Sequence, residues 1–243
     1  MSAEIPKNVA ASVRQRLMNR AREDGQDFQL ILIRYALERL VLRLSRSSYA
    51  KKFILKGATL FYVWNPVSHA YRPTRDLDFL MRGENSVEIL ETIFRSVIET
   101  EVSPDGLFFD KKSVKVTPIR EDKQYGGLRV QILALLERAK IPLQIDVGFG
   151  DQISPDPEQI TFPSLLGQES ARLAAYPKET VIAEKLEAMV SLGEANSRMK
   201  DFYDILFLSL HSSLHHHFFA FKILISSLYS SLLNSSSRSA FRL

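Results

Sequence analysis

The stretch "RPTRDLDFL", residues 72–80, decides the fold because it places two carboxylates inside an apolar, strand-like segment. Side chains alternate between the two faces of a strand, so Asp76 and Asp78 share one face while Leu77 and Phe79 occupy the other. Aspartate is a poor strand former, and like charges on one face repel. Divalent cations with a preference for oxygen ligands would offset this repulsion, and phosphoryl and nucleotidyl transfer both use such ions. The alternative is a chance D-x-D at an exposed strand end or in a loop.

A third aspartate lies in a second alternating segment, "LQIDVGF", residues 143–149. Leu143, Ile145 and Val147 would face the core, which turns Asp146 to the opposite side. A neighbouring strand would then bring Asp146 beside the first pair, as a metal ligand or as the base for an incoming hydroxyl. The alternative is an exposed aspartate on an ordinary half-buried strand.

The segment "LKGATLF", residues 55–61, predicts a strand, a glycine turn and the start of a helix. Gly57 permits close approach to the backbone. The amides at the helix start, together with the Thr59 hydroxyl, could hold a phosphate. The glycine and Lys-Ser/Thr spacing of a P-loop is absent, so the segment is a different kind of phosphate-site candidate.

A lysine lies within the apolar stripe of the helix predicted for residues 177–192. On a buried face, Lys185 must pair with an anion, extend its ammonium to solvent, or bind a ligand such as phosphate. In the next predicted helix Asp201 and Asp204 share one side. They would either pair with nearby basic residues or hold Lys185 in place over a cleft. The stripe consists of Val181, Ile182, Leu186, Met189 and Leu192.

The chain divides into a mixed α/β front half and a helical back half, which predicts an α+β fold. The sheet is expected to be mixed or antiparallel with helices on one side. The polar, proline-containing segment 151–163 predicts a loop and a domain boundary. We therefore expect one domain over residues 1–150 and a helical domain over 151–243. Strands are predicted near 53–56, 76–80, 114–119, 128–136 and 143–149, and helices at 9–23, 28–45, 58–64, 87–100 and from 177 onward.

Charge and composition exclude few function classes. The net charge is +4, but no acidic residue follows Asp204, while Lys222, Arg238 and Arg242 do. The rest of the chain is therefore near neutral, and bulk charge does not predict a polyanionic partner. The absence of cysteine excludes disulfides and thiolate metal sites and fits a reducing compartment. The N-terminus lacks the layout of a signal peptide, and no apolar run is long enough to span a bilayer, so we expect a cytoplasmic protein without membrane contact.

The segment from Ser209 onward differs in composition from the rest, being rich in Ser, Phe, Leu and His. Three consecutive histidines, residues 215–217, could bind a metal, but they do not lie on one face of a helix or strand. We interpret the segment as a last helix with a serine-rich end. A frameshift or truncation would also explain its composition.

These motifs together resemble the AbiEii/AbiGii toxin family, nucleotidyltransferases with a polymerase-β-like fold. The resemblance spans residues 53–208 and rests on the order and spacing of five segments. They are "KGATLF", "RPTRDLDFL", "LQIDVGF", "PKETVIAEKLEAM" and "RMKDFYDI".

The resemblance implies a palm-like sheet whose D-x-D, here Asp76 and Asp78, binds magnesium. With Asp146 as a third ligand, we expect two Mg²⁺ ions. It also implies that the helical-domain pair, here Lys185 and Asp201, completes the essential set, with Asp201 orienting the lysine. The family usually has Gly-Gly-Thr or Gly-Ser at the turn, and an alanine at position 58 fits there if its φ is negative. The nucleotide-binding residues implied are Lys56, Gly57, Thr59, Thr74 and Lys185.

Family members act as toxins paired with an antitoxin, and some add nucleotides to the 3′ end of tRNA, whereas others are described as binding GTP. We therefore expect transfer of a nucleotide from an NTP to RNA, drawn to the site by Arg72, Arg75 and Arg82. One alternative is a nucleotide- or RNA-binding module that has lost catalysis and acts through a protein partner. Another is a small-molecule nucleotidyltransferase of the antibiotic-modifying type.

Overall fold

The computed structural model describes residues 8–65, 74–119, 126–192 and 199–211. The predicted histidine run and the segment that follows it lie outside these residues. Two 3₁₀ turns lie at Ala50–Lys52 and Ala58–Leu60. The helices are α1 (Val9–Glu23), α2 (Phe28–Arg46), α3 (Phe61–Trp64), α4 (Val87–Val97), α5 (Lys178–Leu192) and α6 (Met199–His211); the strands are β1 (Phe53–Lys56), β2 (Asp76–Met81), β3 (Leu107–Pro118), β4 (Leu128–Leu136), β5 (Ala139–Phe149), β6 (Glu158–Phe162) and β7 (Ala171–Ala175).

A seven-stranded mixed sheet is the frame of the first of two compact units, Met1–Tyr176. Its strand order is β3-β4-β5-β2-β1-β7-β6. The pairs β2/β5 and β1/β7 are parallel, and the other four pairs are antiparallel. The predicted fold class, a mixed sheet with helices followed by a helical segment, is confirmed.

Helices cover the apolar face of the sheet. α2 packs on β5 and β7, and α4 packs on β3 and β4. The Phe53 ring lies 5.6 Å from Phe79 of β2 and 5.9 Å from Phe94 of α4, edge-to-face in both pairs. Because β2 alternates, the face that carries Leu77 and Phe79 is the core face, and Asp76 and Asp78 lie on the other.

Local sequence determines where the helices begin. Asn8, Asp27 and Ser86 precede α1, α2 and α4, and each side chain accepts a hydrogen bond from a backbone amide of the first turn, at 3.0–3.2 Å. The predicted starts of these three helices agree with the structure for this reason. Among the described helices, none has the length and apolar character needed to cross a bilayer.

The division between the units differs from the predicted domain boundary at 150/151, because the second unit is Pro177–Leu243. The proline-containing segment leads into β6 rather than into a helical domain. β7 pairs in parallel with β1, with Ile54 opposite Ala174, and antiparallel with β6. The alanine-rich sequence of β7 does not favour a strand by itself, and pairing with a strand on each side determines its structure.

A buried ion pair and a tyrosine hydrogen bond attach α2 to the loop before β3. Arg43 donates to both oxygens of Asp105, at 2.6 and 3.2 Å, and its guanidinium stacks 4.8 Å from the centre of the Phe109 ring. Tyr35 donates to the backbone carbonyl of Asp105 at 2.8 Å, and burial raises the pKa of its hydroxyl. The side chains of Arg43 and Asp105 are only 9% and 3% exposed, so neither charge is compensated by water.

Arg43→Ala should therefore lower the free energy of unfolding by about 3–5 kcal/mol, because it leaves the Asp105 carboxylate buried without its counterion. Urea denaturation followed by circular dichroism measures this change. Lys111→Ala is the matched control, since the Lys111–Glu99 pair is 50% and 57% exposed. Its removal should change stability by less than about 1 kcal/mol. Equal effects of the two substitutions would contradict a structural role for the buried pair.

Candidate active site

Asp76 and Asp78 lie on the open face of β2, as the alternation predicts. Both are half-buried, whereas Leu77 and Phe79 are buried. Thr74, which precedes the strand, donates its hydroxyl to Asp76 Oδ1 at 2.7 Å. The two carboxylates begin roughly 6–7 Å apart along the strand, a spacing at which both side chains can reach one ion.

The neighbouring strand β5 delivers the third carboxylate. β2 and β5 pair in parallel with Asp78 opposite Asp146 and Asp76 opposite Gln144. Neighbouring strands lie about 4.8 Å apart, so Asp78 and Asp146 are direct neighbours on the same face. Leu143, Ile145 and Val147 are buried, which confirms the predicted orientation of β5.

Asp146 is nevertheless not an uncompensated charge. Arg129, its partner on β4, donates from Nε to Oδ1 and from Nη2 to Oδ2, at 2.8 Å each. These hydrogen bonds raise the pKa of Arg129, so the guanidinium stays charged. Asp146 therefore has a counterion within the chain itself. Arg129 cannot be recognised as its partner in the sequence, because only the register of β4 against β5 identifies it.

The predicted glycine turn lies against this face. Gly57 has φ +77° and ψ −163°, a region essentially restricted to glycine. A Cβ atom added there would lie 2.0 Å from Asp78 Oδ2. Ala58, in contrast, is the first residue of the 3₁₀ turn and is not among the described residues with positive φ. The alanine that replaces the family's usual second residue thus fits the turn without strain.

Thr59 is the second predicted phosphate ligand, and its hydroxyl is a buried polar atom that needs a partner. The residue is 2% exposed, and Oγ1 has no hydrogen-bond partner among the described residues. A buried hydroxyl without a partner carries a free-energy cost that a ligand oxygen can remove. The helix that follows is short, ending at Trp64 within the described residues, so the hydroxyl is the better-supported ligand here.

Lys56 flanks the carboxylates on the other side. It is opposite Asp78 in the pairing of β1 with β2. Its ammonium donates to Asp151 Oδ2 at 2.8 Å and lies 5.2 Å from the centre of the Tyr176 ring. Tyr176 donates its hydroxyl to the same oxygen of Asp151, at 3.3 Å. The structure thus places Lys56 at the site and links it to an acidic loop residue that the sequence analysis did not single out.

Lys185 and Asp201 belong to the second unit. Lys185 Nζ lies 2.9 Å from Asp201 Oδ1 and 2.7 Å from Asp204 Oδ2. The lysine side chain is 15% exposed, and the two carboxylates are 4% and 0% exposed. The predicted contact between Lys185 and Asp201 is therefore present, and Asp204 shares the lysine. A buried lysine held by two carboxylates is a fixed charge rather than a mobile surface one.

The open face of β2 offers ligands that suit Mg²⁺, because carboxylate and hydroxyl oxygens are its preferred partners. Asp76, Asp78 and Thr74 fit such an ion. Both oxygens of Asp146 accept from Arg129, so a metal ion bound there would share them with the guanidinium. Across the described ranges, no group of three or more acidic or histidine side chains is arranged to hold a metal.

The profile of the family described as "Nucleotidyl transferase AbiEii toxin, Type IV TA system" matches residues 39–223, more than half of the chain. The chain belongs to the AbiEii toxin family. The matched range contains the D-x-D strand, the glycine turn, Asp146 and the Lys185 cluster, so the resemblance seen in the sequence is confirmed. AbiEii proteins are classed as nucleotidyltransferases and as toxins of toxin–antitoxin systems.

Solved structures with a similar fold come from Helicobacter pylori. JHP933 superposes with a TM-score of 0.50 at 17% identity, covering 76% of this chain and 68% of its own. A presumed nucleotidyltransferase from H. pylori gives 0.48 at 17% identity, with 76% and 70% covered. No curated protein matches the sequence. At this identity, JHP933 shows that the AbiEii chain shares a known fold.

Gly57→Ala should lower the free energy of unfolding by roughly 4 kcal/mol, because backbone strain adds to a clash with the Asp78 carboxylate. Gly25→Ala is the matched control. Gly25 also has positive φ, +61°, but a Cβ there would meet nothing within 4 Å. Its cost should be only about 1–2 kcal/mol. Urea denaturation of both variants measures the difference, and equal losses would show that Asp78 does not lie against the turn.

Lys185→Met should lower the free energy of unfolding by about 3–5 kcal/mol, because it leaves Asp201 and Asp204 buried without their shared cation. Hydrogen exchange of the α5 and α6 amides measures the effect in the second unit. The triple variant Lys185→Met, Asp201→Asn, Asp204→Asn removes the whole charge cluster and should regain most of the loss. Equal exchange in wild type and Lys185→Met would contradict the fixed-charge interpretation.

Proposed function

We propose that this AbiEii chain is a metal-dependent nucleotidyltransferase that transfers a nucleotide from an NTP to an RNA acceptor, such as the 3′ end of a tRNA. The observation that carries the proposal is the arrangement of Asp76 and Asp78 on an open sheet face against the Gly57 turn. The buried Thr59 hydroxyl next to that turn supplies a donor for a phosphate oxygen. In this proposal the metal ligands on β2 and the phosphate donor of the Gly57 turn belong to one site.

In the proposed reaction the acceptor hydroxyl oxygen attacks the α-phosphorus and loses its proton to water. The bond to the β-phosphate breaks, and pyrophosphate leaves. Asp76 and Asp78 would hold Mg²⁺, and the ion would supply positive charge beside the phosphates. Thr74 fixes the Asp76 carboxylate by its 2.7 Å hydrogen bond. Gly57 lets the turn approach Asp78, and the Thr59 hydroxyl donates to the triphosphate.

Three further residues enter the proposal with defined roles. Lys56, held by Asp151, would place a positive charge beside Asp78 for a phosphate oxygen. Lys185 is assigned to triphosphate charge stabilisation, a role that rests on the family resemblance. Asp201 is assigned to orienting Lys185, which its 2.9 Å contact supports.

The acceptor and partner assignments rest on the family and on exposed basic residues. Arg75, directly before Asp76, and Arg82, directly after β2, are both exposed and can contact a polyanionic backbone. The third arginine of the predicted set, Arg72, lies outside the described residues. The toxin–antitoxin class makes a cognate antitoxin the expected protein partner, and cytoplasmic RNA the expected acceptor.

Incubation of the protein with each labelled NTP in turn, Mg²⁺ and total RNA tests the proposal. Wild type should label RNA, and Asp78→Asn should reduce the rate by roughly a hundredfold or more, because it removes a charge that acts on the transition state. Removal of Mg²⁺ with a chelator should also abolish labelling.

Glu101→Gln is the matched control, since Glu101 is an exposed carboxylate in the loop between α4 and β3 whose loss should leave the rate unchanged. If wild type and Asp78→Asn label RNA equally, the assigned site is wrong. If nucleotide binds in calorimetry but no acceptor is ever labelled, the binding-module alternative is correct. If RNA stays unlabelled but a small hydroxylated compound is labelled, the acceptor assignment is wrong.

A further inference from the structure

A row of four charged residues crosses the open face of the sheet. Lys56 on β1 is opposite Asp78 on β2, Asp78 is opposite Asp146 on β5, and Asp146 is opposite Arg129 on β4. Residues opposite each other on adjacent strands point to the same face and lie about 4.8 Å apart. The two carboxylates at the centre of this charge row are therefore flanked by a cation on each side.

The arginine end of the charge row is the more fully formed one. The Arg129 guanidinium forms a fork on Asp146, with one N–H donated to each oxygen at 2.8 Å. Gln144, with its amide oxygen toward the guanidinium, accepts from Nε and Nη2 of Arg129 at 3.2 Å each. A paired fork of this kind has a fixed geometry and is stronger than a single neutral hydrogen bond.

A divalent ion shared between Asp78 and Asp146 would lie between β2 and β5, across the Asp146 carboxylate from this fork. It would share the Asp146 oxygens with the guanidinium and bind within a few ångströms of its positive charge. That proximity weakens its binding. An ion held by Asp76 and Asp78 would lie farther from the guanidinium, because β5 separates β2 from β4.

We propose that Arg129 takes the place of a second protein-held cation, so that the chain itself binds one divalent ion, through Asp76 and Asp78. Arg129 is then a positioning residue that fixes Asp146 and supplies positive charge beside the metal site. The proposal rests on the proposed function, because it assumes that Asp76 and Asp78 are metal ligands. It replaces the expected set of three carboxylates and two ions by two carboxylates, one ion and one guanidinium.

Titration with Mn²⁺, followed by electron paramagnetic resonance of the free ion in the absence of nucleotide, tests the proposal. Wild type should bind one ion. Arg129→Gln should bind a second ion, on the order of tenfold or more tighter than wild type binds a second ion, because one unit of positive charge near the site is removed. Arg129→Lys, which keeps the charge, should bind one ion like wild type.

Arg138→Gln is the matched control for the change in net charge. Arg138 is exposed in the turn of the same β4–β5 hairpin, at the end opposite Arg129. The Arg138→Gln variant should bind one ion, as wild type does. Two ions on the wild-type protein, or the same binding by Arg129→Gln as by wild type, would overturn the proposal.

The double variant Arg129→Gln, Asp146→Asn removes the pair without changing the net charge, and it keeps the test valid if the single variant is unstable. One ion should remain, with wild-type affinity, because neither residue is a ligand in the proposal. Loss of that ion would restore Asp146 as a ligand and overturn the inference.

Asp78→Asn separates this failure from that of the proposed function. If Asp78→Asn binds Mn²⁺ as wild type does, the metal site itself is misassigned and both proposals fail. If Asp78→Asn abolishes binding while Arg129→Gln matches wild type, only the role of Arg129 is wrong.

Discussion

The parallel register between β2 and β5 is the constraint on which the candidate site depends. It sets Asp78 opposite Asp146 and Asp76 opposite Gln144. A shift by one residue would turn every side chain of one strand to the other face, exposing Leu77 and Phe79 and burying the aspartates. Burial of the apolar set against the helices therefore fixes the position of the carboxylates. Packing on one face of the sheet determines chemistry on the other.

Much of this architecture is legible in the sequence because it follows from side-chain periodicity. The alternation in "DLDFL" and "LQIDVGF" predicts which side each residue faces, and the structure agrees. The helix starts are predictable because Asn8, Asp27 and Ser86 are good capping residues. These are local properties, and each needs only a few neighbouring residues to be recognised.

The features that sequence reasoning missed are determined by non-local pairing. β7 is a strand because it pairs with β1 and β6. β1 lies more than a hundred residues earlier in the chain, whereas β6 lies just before β7. The pairing of Arg129 cannot be predicted from the sequence either, because the alternation in "LRVQILALL" shows only that its side chain lies on a polar face. Its fork on Asp146 follows from the register of a hairpin. Asp146 therefore adds less repulsion to the D-x-D strand than the sequence alone indicates.

The alternation of charge along the row from Lys56 to Arg129 has a consequence for approach from solution. A linear plus–minus–minus–plus arrangement has no net charge, and its potential decays faster with distance than that of a single ion. Beyond about a Debye length of 8–10 Å, an incoming polyanion would encounter little repulsion from these four groups. Asp78 and Asp146 therefore add little long-range repulsion against a triphosphate or an RNA strand, and long-range steering is left to the rest of the surface, including Asp76.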